Sequence, residues 1–439
     1  MTSENDFKQL VDVCEFIGRG ITPVYVDVDG IPVINQKCIR NGNVDLKQAR
    51  RTDPQKKRIT KEKFLKEFDI LVNSTGVGTL GRVGQIFKID GELTVDTHVT
   101  IVRPNINEID PTYLGYVIKS LQSKIEELAE GSTGQTELSR HKLGALVFRT
   151  LDRFEQSAIG QICKNIDDRI AILHETNATL EAIAQALFKS WFVDFDPVRA
   201  KSEGKLPEGM DEATAALFPD AFEENELGLV PKGWSATTLS TVASFQNGYA
   251  FKGSDWSAAG HPVVKIGNVK PLHIDFDDCS YVSPQTVVGL ERFKLGAGDL
   301  LVGMTGYVGE TGLVPHNDTA SYLNQRVGRI TTNNGLQDLG FVFSAVRQKE
   351  FKIYAESQSH GSAQANVSGA DLMKFTVTVP SAEIFEKYNE LTYQFIASIL
   401  NNHSKATLLT SLRDTLLPRL ISGQLRIADA EAEIEKVSV

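Results

Sequence analysis

The chain has 439 residues, 41% hydrophobic and 23% charged, an ordinary globular composition that allows two to four domains and excludes a disordered chain. No apolar run approaches the roughly 18 residues of a membrane-spanning helix, and the first residues lack the basic and apolar regions of a signal peptide, so we expect a cytoplasmic protein. The net charge of −10 argues against a wholly basic surface, and the widely spaced Cys14, Cys38, Cys163 and Cys279 favour isolated thiols over a zinc or disulfide framework.

Residues from about 10 to 150 predict an α+β unit made of short strands and one helix. Strands are expected at 69–72, 82–87 and 97–102, where β-favouring residues are bounded by turn residues. A helix is expected near 114–129. The turn at 76–81 matches the glycine spacing of a dinucleotide fingerprint, but a strand pattern follows it where that motif needs a helix. These glycines therefore predict a tight turn between strands.

Positive charge is concentrated in one segment of this first half. Residues 37–66 contain eleven cations and three anions, a net charge of +8. The cations are Lys37, Arg40, Lys47, Arg50, Arg51, Lys56, Lys57, Arg58, Lys61, Lys63 and Lys66. Such a segment can face the phosphates of a nucleic acid, although a merely solvated face has the same composition.

A long amphipathic helix is predicted from Arg153 to Phe192. Apolar residues recur there at steps of three and four, which marks one face of a helix. At ~1.5 Å per residue, about 38 helical residues make a rod of roughly 57 Å, longer than a small domain needs for its own core. The following residues, 194–231, are acidic and contain four prolines, and they predict an ordered connector or a linker.

The second half repeats the plan of the first. The segment beginning at Asp69 recurs at Asp299, and the segment beginning at Gly131 recurs at Gly361, so the two repeat intervals are equal. Strands are expected from about 239 to 379 and a second long helix from about 385, which Pro418 should stop or kink. The two apolar stripes predict helices paired as an antiparallel coiled coil, unless each stripe packs on its own domain.

The sequence lacks the common catalytic motifs, and its polar segments favour molecular recognition. The sequence has no nucleoside triphosphate loop, no His-Glu-x-x-His and no Gly-x-Ser-x-Gly, and its eight histidines are scattered. Two polar loops, 131–139 and 361–368, occupy equivalent places in the repeat. Their amides and hydroxyls could read base edges, although polar loops without function look alike.

Three stretches carry a resemblance to a known family. Residues 177–201 resemble the central conserved region of type I restriction-modification specificity subunits. Residues 229–234 resemble the opening of the second target recognition domain, and 416–425 resemble the distal conserved end. The likeness covers essentially the whole chain and is weak within the recognition domains, which differ between family members.

The resemblance implies an α+β chain with two tandem α/β target recognition domains, each followed by a long helix, and an internal pseudo-twofold repeat. The implied segments are a first recognition domain at 1–152, a central helical region at 153–196, an acidic connector at 197–230, a second recognition domain at 231–381, a distal helical region at 382–425 and an acidic C-terminal tail at 426–439.

The implied function is non-catalytic recognition of a bipartite, asymmetric DNA target, with the helices as a ruler between the half-sites. Two methyltransferase subunits and two motor-nuclease subunits are the implied partners, and they would carry S-adenosylmethionine, ATP and Mg²⁺, none of which this chain would bind. The alternatives are a subunit of a modification-only or phase-variable complex, a decoy that binds the methyltransferase without DNA, and an enzyme with a cleft between the halves.

Candidate DNA-contacting residues follow from the basic segment, the polar loops and the strand turns. They are Arg19, Lys37, Arg40, Arg50, Arg51, Lys56, Lys57, Arg58, Ser74, Arg82, Ser132, Thr133, Gln135, Thr136, Gln246, Tyr249, Lys252, Tyr307, Arg326, Ser362, Gln364 and Asn366. Candidate subunit-binding residues lie on the helical stripes. They are Leu180, Phe188, Trp191, Phe192, Leu409 and Leu416.

Overall fold

The computed structural model describes residues 7–40, 42–131, 136–225, 228–360 and 365–438. The chain forms two compact units, one of residues 1–170 with 408–439 and one of residues 171–407. Each unit contains one β-rich half of the sequence and a part of both long helices. Among the described residues, no helix combines the length and apolarity needed to cross a lipid bilayer.

The first half is α+β, as predicted. Its strands are β1 (Phe7–Gln9), β2 (Cys14–Arg19), β3 (Tyr25–Val26), β4 (Ile31–Ile34), β5 (Ile39–Arg40), β6 (Asn43–Val44), β7 (Arg50–Thr52), β8 (Ile70–Asn73), β9 (Val83–Gln85), β10 (Thr94–Val95), β11 (Val99–Pro104) and β12 (Val147–Arg149). Its helices are α1 (Pro111–Ser120), α2 (Gln122–Glu127) and α3 (Arg140–Gly144). The single helix expected near 114–129 is thus two helices that meet at Leu121.

Two four-stranded sheets organise this half. Their strand orders are β10-β4-β7-β3 and β2-β11-β8-β9. Asp69 and Arg103 form a buried bidentate ion pair, with Nε–Oδ1 and Nη2–Oδ2 distances of 2.8 and 2.7 Å. Because both charges are buried, each one needs the other, and the pair ties the start of β8 to the end of β11.

Helix α4 runs from Arg153 to Phe192, within the predicted bounds. The Asp152 carboxylate accepts a hydrogen bond of 2.8 Å from the backbone N–H of Glu155, which satisfies a free donor of the first turn. After α4, Phe195 adopts a left-handed backbone conformation with φ 58°, and the chain turns there.

The described residues of the acidic connector, 194–225 and 228–231, form regular secondary structure. The connector contains α5 (Asp196–Ser202), α6 (Glu212–Leu217), β13 (Phe222–Asn225) and β14 (Gly228–Pro231). Phe195, Val198 and Phe218 are buried in the core of the 171–407 unit, so burial of these side chains fixes the segment.

The second half repeats the topology of the first. Its strands are β15 (Ser235–Thr238), β16 (Ser244–Asn247), β17 (Trp256–Ser257), β18 (His261–Val264), β19 (Leu272–His273), β20 (Ser280–Val282), β21 (Lys294–Leu295), β22 (Leu300–Gly303), β23 (Thr311–Leu313), β24 (Ser321–Leu323), β25 (Val327–Thr331) and β26 (Thr376–Val379). Its helices are α7 (Leu339–Arg347), α8 (Lys349–Ser357) and α9 (Gly369–Leu372). The sheet order β16-β25-β22-β23-β19 matches β2-β11-β8-β9 with one strand added.

Helix α10 runs from Ala382 to Ile421, and α11 (Ile427–Ser438) lies within the acidic C-terminal tail. Of the two effects expected of Pro418, a stop or a kink, the stop does not occur, because the helix continues for three residues to Ile421. Leu416, Leu417 and Leu420 are buried there, and this packing outweighs the hydrogen bond that proline cannot donate. The chain leaves the helix at Gly423, whose φ of 72° suits glycine.

The long helices are antiparallel within each unit, as predicted. In the 171–407 unit the Asn177 side chain donates to the backbone oxygen of Ile399 and accepts from the Asn402 side chain, at 3.2 and 2.9 Å. In the other unit Arg413 of α10 forms an ion pair with Asp167 of α4. A higher residue number on one helix is thus paired with a lower one on the other.

Both alternatives for the apolar stripes are realised in the same molecule. The start of α4, at Ile159 and Cys163, shares a core with the first β-rich half and with Leu416 of α10. The end of α4, at Phe188, shares a core with the second half and with Tyr388 of α10. Each helix therefore packs on a β-rich half and on the other helix.

Candidate nucleic-acid interface

Three segments meet beyond the carboxyl end of β8 in the first half. The backbone N–H of Ser74 donates to the carbonyl of His98 at 2.8 Å, and the N–H of Leu138 donates to the carbonyl of Ser74 at 2.8 Å. Thr75 also forms a β-bridge with Glu137. These contacts join the turn after β8, the turn before β11 and the base of the first polar loop. We call this site the first junction.

The second half builds the same arrangement after β22, here called the second junction. Met304 N–H donates to the Arg326 carbonyl at 3.1 Å, and Val367 N–H donates to the Met304 carbonyl at 2.9 Å. Thr305 forms a β-bridge with Asn366, as Thr75 does with Glu137. The two junctions therefore have one backbone plan and different side chains.

The side chains at the junctions are polar and differ in chemistry. At the first, the Thr75 hydroxyl lies 2.6 Å from Nδ1 of His98. At the second, the Thr305 hydroxyl donates to the Asn366 side-chain oxygen at 2.7 Å, and Arg326 is exposed. Sequence analysis missed Thr75, His98 and Thr305. The repeat could have pointed to the two threonines, because they occupy equivalent places in the two halves.

Each junction has a glycine turn with an exposed tip. Gly76 has a φ of 104°, which disfavours other residues, and Val77 beside it is 83% exposed. The corresponding Tyr307 is 66% exposed, and its ring can stack on a base or bond a phosphate. Strand β9 follows the first turn, where a dinucleotide-binding motif needs a helix. The structure therefore agrees with the sequence that this turn is not such a motif.

Both polar loops are closed by paired backbone hydrogen bonds. Glu130 and Glu137 exchange N–H···O bonds of 3.0 and 2.8 Å, and His360 and Asn366 exchange bonds of 2.8 and 3.0 Å. Thr136 and Asn366 lie at the described ends of the loops. Five predicted contact residues lie outside the described residues: Ser132, Thr133, Gln135, Ser362 and Gln364.

Three predicted contact residues of the first half are occupied within the fold. Ser74 is fully buried, and its hydroxyl lies 2.5 Å from that of Thr100, so its prediction as a DNA contact is wrong. Arg19 donates to the Leu138 carbonyl at 2.8 Å and pairs with the Glu137 carboxylate at 2.5 Å. Arg82 donates to the Gly78 carbonyl at 2.8 Å. The two arginines brace the loop and the turn that carry the junction.

In the second half, Gln246 and Tyr249 are also engaged. The Gln246 amide donates to the Arg292 carbonyl at 2.7 Å and accepts from Arg329 at 2.6 Å. The Tyr249 ring packs against Phe251 and Phe293 at centroid distances of 4.9 and 5.3 Å. By contrast, Lys252 is exposed. The accessible candidates in this half are therefore Lys252, Tyr307, Arg326 and Asn366.

The basic segment lies on the surface. Its cations are exposed except for Lys63, which is half-buried and donates to the Gly20 carbonyl at 2.7 Å. Arg50 stacks over the ring of Tyr25, with 3.4 Å from the guanidinium carbon to the ring centre, and Arg51 donates to the Gly30 carbonyl at 2.6 Å. The segment can therefore present charge to an anionic partner.

The predicted subunit-binding residues are mostly buried in the chain's own cores. Phe188, Trp191, Phe192, Leu409 and Leu416 are 1 to 5% exposed. Leu180 is half-buried and packs on the same core as Phe188. The Phe192 ring lies 5.0 Å from the ring of Phe341 and 4.9 Å from that of Tyr388, centre to centre. Their role in binding a subunit stays a prediction, and the observed role of these side chains is packing within the chain.

The thiols of Cys38, Cys163 and Cys279 are buried, and that of Cys14 is half-buried. Burial raises the pKa of the Cys14, Cys163 and Cys279 thiols to about 12, so they stay protonated at neutral pH. Within the described ranges no cluster of three or more His, Cys, Asp or Glu side chains is arranged to hold a metal ion. The accessible chemistry of the two junctions is therefore hydrogen bonding, stacking and charge.

Comparison with known proteins gives a consistent family match. Residues 2–182 and 231–416 match the family model described as type I restriction modification DNA specificity domain. The chain is 27% identical over 412 residues to the HindI specificity subunit of Haemophilus influenzae, covering 83% of this chain and 88% of that one. It is 21% identical over 343 residues to the MjaIX specificity subunit of Methanocaldococcus jannaschii, covering 72% and 69%.

A solved structure, the type I restriction-modification S subunit from M. genitalium, aligns with a TM-score of 0.49 and 17% identity. The alignment covers 96% of this chain and 97% of that one.

Proposed function

This chain belongs to the type I restriction-modification DNA specificity family, and we propose that it reads an asymmetric, two-part DNA target with one junction on each half. We call residues 1–152 the first recognition domain and residues 231–381 the second. The observation that carries the proposal is the repetition of the junction. Two sites with one backbone plan suit two DNA segments of the same shape, and their different side chains suit two different sequences.

The side chains of the second junction fit base recognition. An arginine can bond guanine through two donors, and an asparagine can bond adenine through its amide. Arg326 and Asn366 are both exposed. Thr305 orients the Asn366 amide while leaving its N–H donors and one lone pair of its oxygen available. At the first junction, His98 and Thr136 offer a different set of donors and acceptors.

The long helices support a ruler between the half-sites. Each of α4 and α10 is a single helix of 40 residues, and polar contacts fix their antiparallel pairing at Asn177–Asn402 and at Asp167–Arg413. Buried polar contacts between helices specify register, because a shifted register leaves them unpaired. A fixed register would give a fixed spacer in the DNA target.

We assign partner docking to exposed apolar residues of the helices in place of the buried stripe. Phe154, Ile172 and Ile183 of α4 and Leu408 of α10 are exposed. Covering exposed apolar side chains of a helix with a partner stabilises the complex, because apolar surface is removed from water. Methyltransferase subunits bound there would supply S-adenosylmethionine and the catalytic groups, and motor-nuclease subunits would add ATP hydrolysis with Mg²⁺.

Methylome sequencing of cells expressing the complex tests the assignment of junctions to half-sites. Arg326→Ala removes the two-donor contact and should relax one base position in one half-site, leaving the other half-site unchanged. His98→Ala is the matched variant and should relax only the other half-site. If both variants altered the same half-site, or if neither altered any position, the junctions would not be the readers.

A further inference from the structure

The basic segment has a structural counterpart in the second half. Strands β4 and β7 pair with Pro32 opposite Arg51, and strands β18 and β20 pair with Pro262 opposite Tyr281, at the equivalent place in the repeat. The short helices 36–38 and 266–268, and those at 61–63 and 291–293, keep the same interval. The described residues of 37–66 and of 267–296 therefore share a strand pairing and two short helices, although the β5–β6 pair and the short helix at 46–48 belong to the first half.

The charges differ although these elements are shared. Residues 267–296 contain three cations and four anions, a net charge of −1, against +8 in the basic segment. One of the eleven cationic positions stays cationic, where Lys270 corresponds to Arg40. The other replacements are Gly267, Asp277, Ser280, Tyr281, Thr286, Val287, Val288, Glu291, Phe293 and Gly296. The shared strand pairing and short helices therefore form in the second half without the cations that these residues replace.

The basic segment adjoins the first junction. The Asn73 side chain at the end of β8 donates to the Gln36 carbonyl at 3.0 Å, and Lys37 follows Gln36 directly. Strand β10, which pairs with β4, leads within three residues to His98. A duplex that reached His98 and Thr136 would therefore lie beside a surface of net charge +8.

We propose that the two recognition domains divide the work of binding, the first domain supplying most of the sequence-independent grip on the phosphates. The second domain holds its half-site mainly through directional contacts from Tyr307, Arg326 and Asn366. This inference rests on the proposed function and adds an inequality between the domains. Electrostatic contacts to phosphate release counterions, so the inequality has a measurable salt dependence.

Two variants with equal loss of charge test the inequality on the purified full-length chain. The first combines Lys57→Gln, Arg58→Gln and Lys61→Gln, and the second combines Lys270→Gln, Arg292→Gln and Lys294→Gln. Affinity for a duplex carrying the methylome-defined target and for a random duplex is measured by fluorescence anisotropy across salt concentrations. Each lost phosphate contact should lower the slope of log affinity against log salt by about one unit.

We expect the first variant to lose about two to three units of slope on both duplexes and the second to lose less than one unit. Equal losses in the two variants, or an unchanged slope in the first, would overturn the proposal. If the first variant fails to fold, a third variant that combines Lys37→Gln, Lys47→Gln and Lys56→Gln takes its place, with the same expected loss of slope. If the unaltered chain bound the target duplex and the random duplex with equal affinity, the proposed function itself would be contradicted.

Discussion

At the scale of single residues, Thr305 determines how Asn366 presents its amide. The hydroxyl donates to the side-chain oxygen at 2.7 Å, which holds the amide in one orientation. An oriented amide loses less side-chain entropy on binding than a free one. Thr305 is thus a positioning residue for Asn366 in the proposed function.

Removal of the amide gives a prediction for the second half-site. Asn366→Ala should weaken binding to the target duplex by ~1–3 kcal/mol and change binding to random DNA little, because base contacts carry specificity. Thr305→Val should cost less, since the amide remains but loses its orientation. Anisotropy titrations on the two duplexes measure both effects.

Asn333→Ala provides the control, because Asn333 is exposed at the opposite end of β25 from Arg326. It should leave both affinities unchanged. Equal weakening of target and random binding by Asn366→Ala would show a phosphate or structural role for this side chain.

At the scale of elements, three histidines mark where the long helices meet the second recognition domain. They are His174 of α4, His403 of α10 and His273 of β19, and the rings of the last two lie 5.0 Å apart. Burial, then the neighbouring His273 and His174, lower the pKa of His403 to about 4. Burial lowers the pKa of His273 as well. Asp275 opposes this lowering and Lys270 adds to it, and Asp277 interacts electrostatically with the same ring.

These shifts predict instability in acid with a defined sign. Below its ordinary pKa of 6.5, His403 binds a proton in the unfolded chain but stays neutral in the folded one until about pH 4. The contribution of neutral His403 to the free energy of unfolding is therefore complete above pH 6.5, and it is lost as the pH falls from 6.5 to 4. His403→Gln should reduce the drop in unfolding free energy between pH 7.5 and 5 by about 2 kcal/mol.

Urea unfolding at the two pH values measures this drop. The matched control is His316→Gln, because His316 is exposed in a loop between β23 and β24. It should keep the acid sensitivity of the unaltered chain. If His403→Gln kept it too, the histidine contact would not be the acid-sensitive element.

At the scale of the whole molecule, the repeat is the feature on which the proposed reading of two DNA segments by one polypeptide rests. Each unit contains one recognition domain and parts of both long helices. The two recognition domains share topology and junctions but differ in the charge of equivalent segments and in the side chains at the junctions. Under the proposed function, asymmetry in the target would follow from these side chains, and spacing would follow from helix length.

Insertion into α4 tests the spacing. Four residues added after Thr179 lengthen a helix by ~6 Å and rotate its distal part by only about 40° beyond a full turn. The target spacer should then grow by one or two base pairs, at about 3.4 Å each, with both half-sites unchanged. Methylome sequencing reads the spacer directly, and methylation at the original spacing would rule out α4 as the ruler.

A two-residue insertion at the same place is the control. It rotates the apolar stripe by ~200°, so the buried contacts of Phe188 and Trp191 cannot form. This variant should fail to assemble and give no methylation. Altered half-sites in the four-residue variant would show instead that the recognition domains are not independent.

The sequence by itself determined the duplication and the two long helices, and it marked the glycine turns and polar loops, whereas their meeting with the turn before β11 or β25 came from the structure. A constant repeat interval is a property of the chain, and a three-to-four periodicity from Arg153 to Phe192 is sufficient to specify a helix. The polar loops were found because both copies retain them. Thr75 and Thr305 were missed as site residues although the repeat retains both, and His98 was missed because Arg326 takes its place in the second copy.

Only the tertiary structure decided which surfaces those elements cover. Periodicity shows that Phe188, Trp191 and Phe192 share an apolar face, but burial against Phe341 and Tyr388 is a long-range event that no local pattern encodes. Packing also buries Ser74, which removes its side chain from the surface, and packing of the neighbouring leucines keeps Pro418 within α10. In each case packing between residues far apart in sequence outweighed a local preference, because free energy is gained by the surface removed from water.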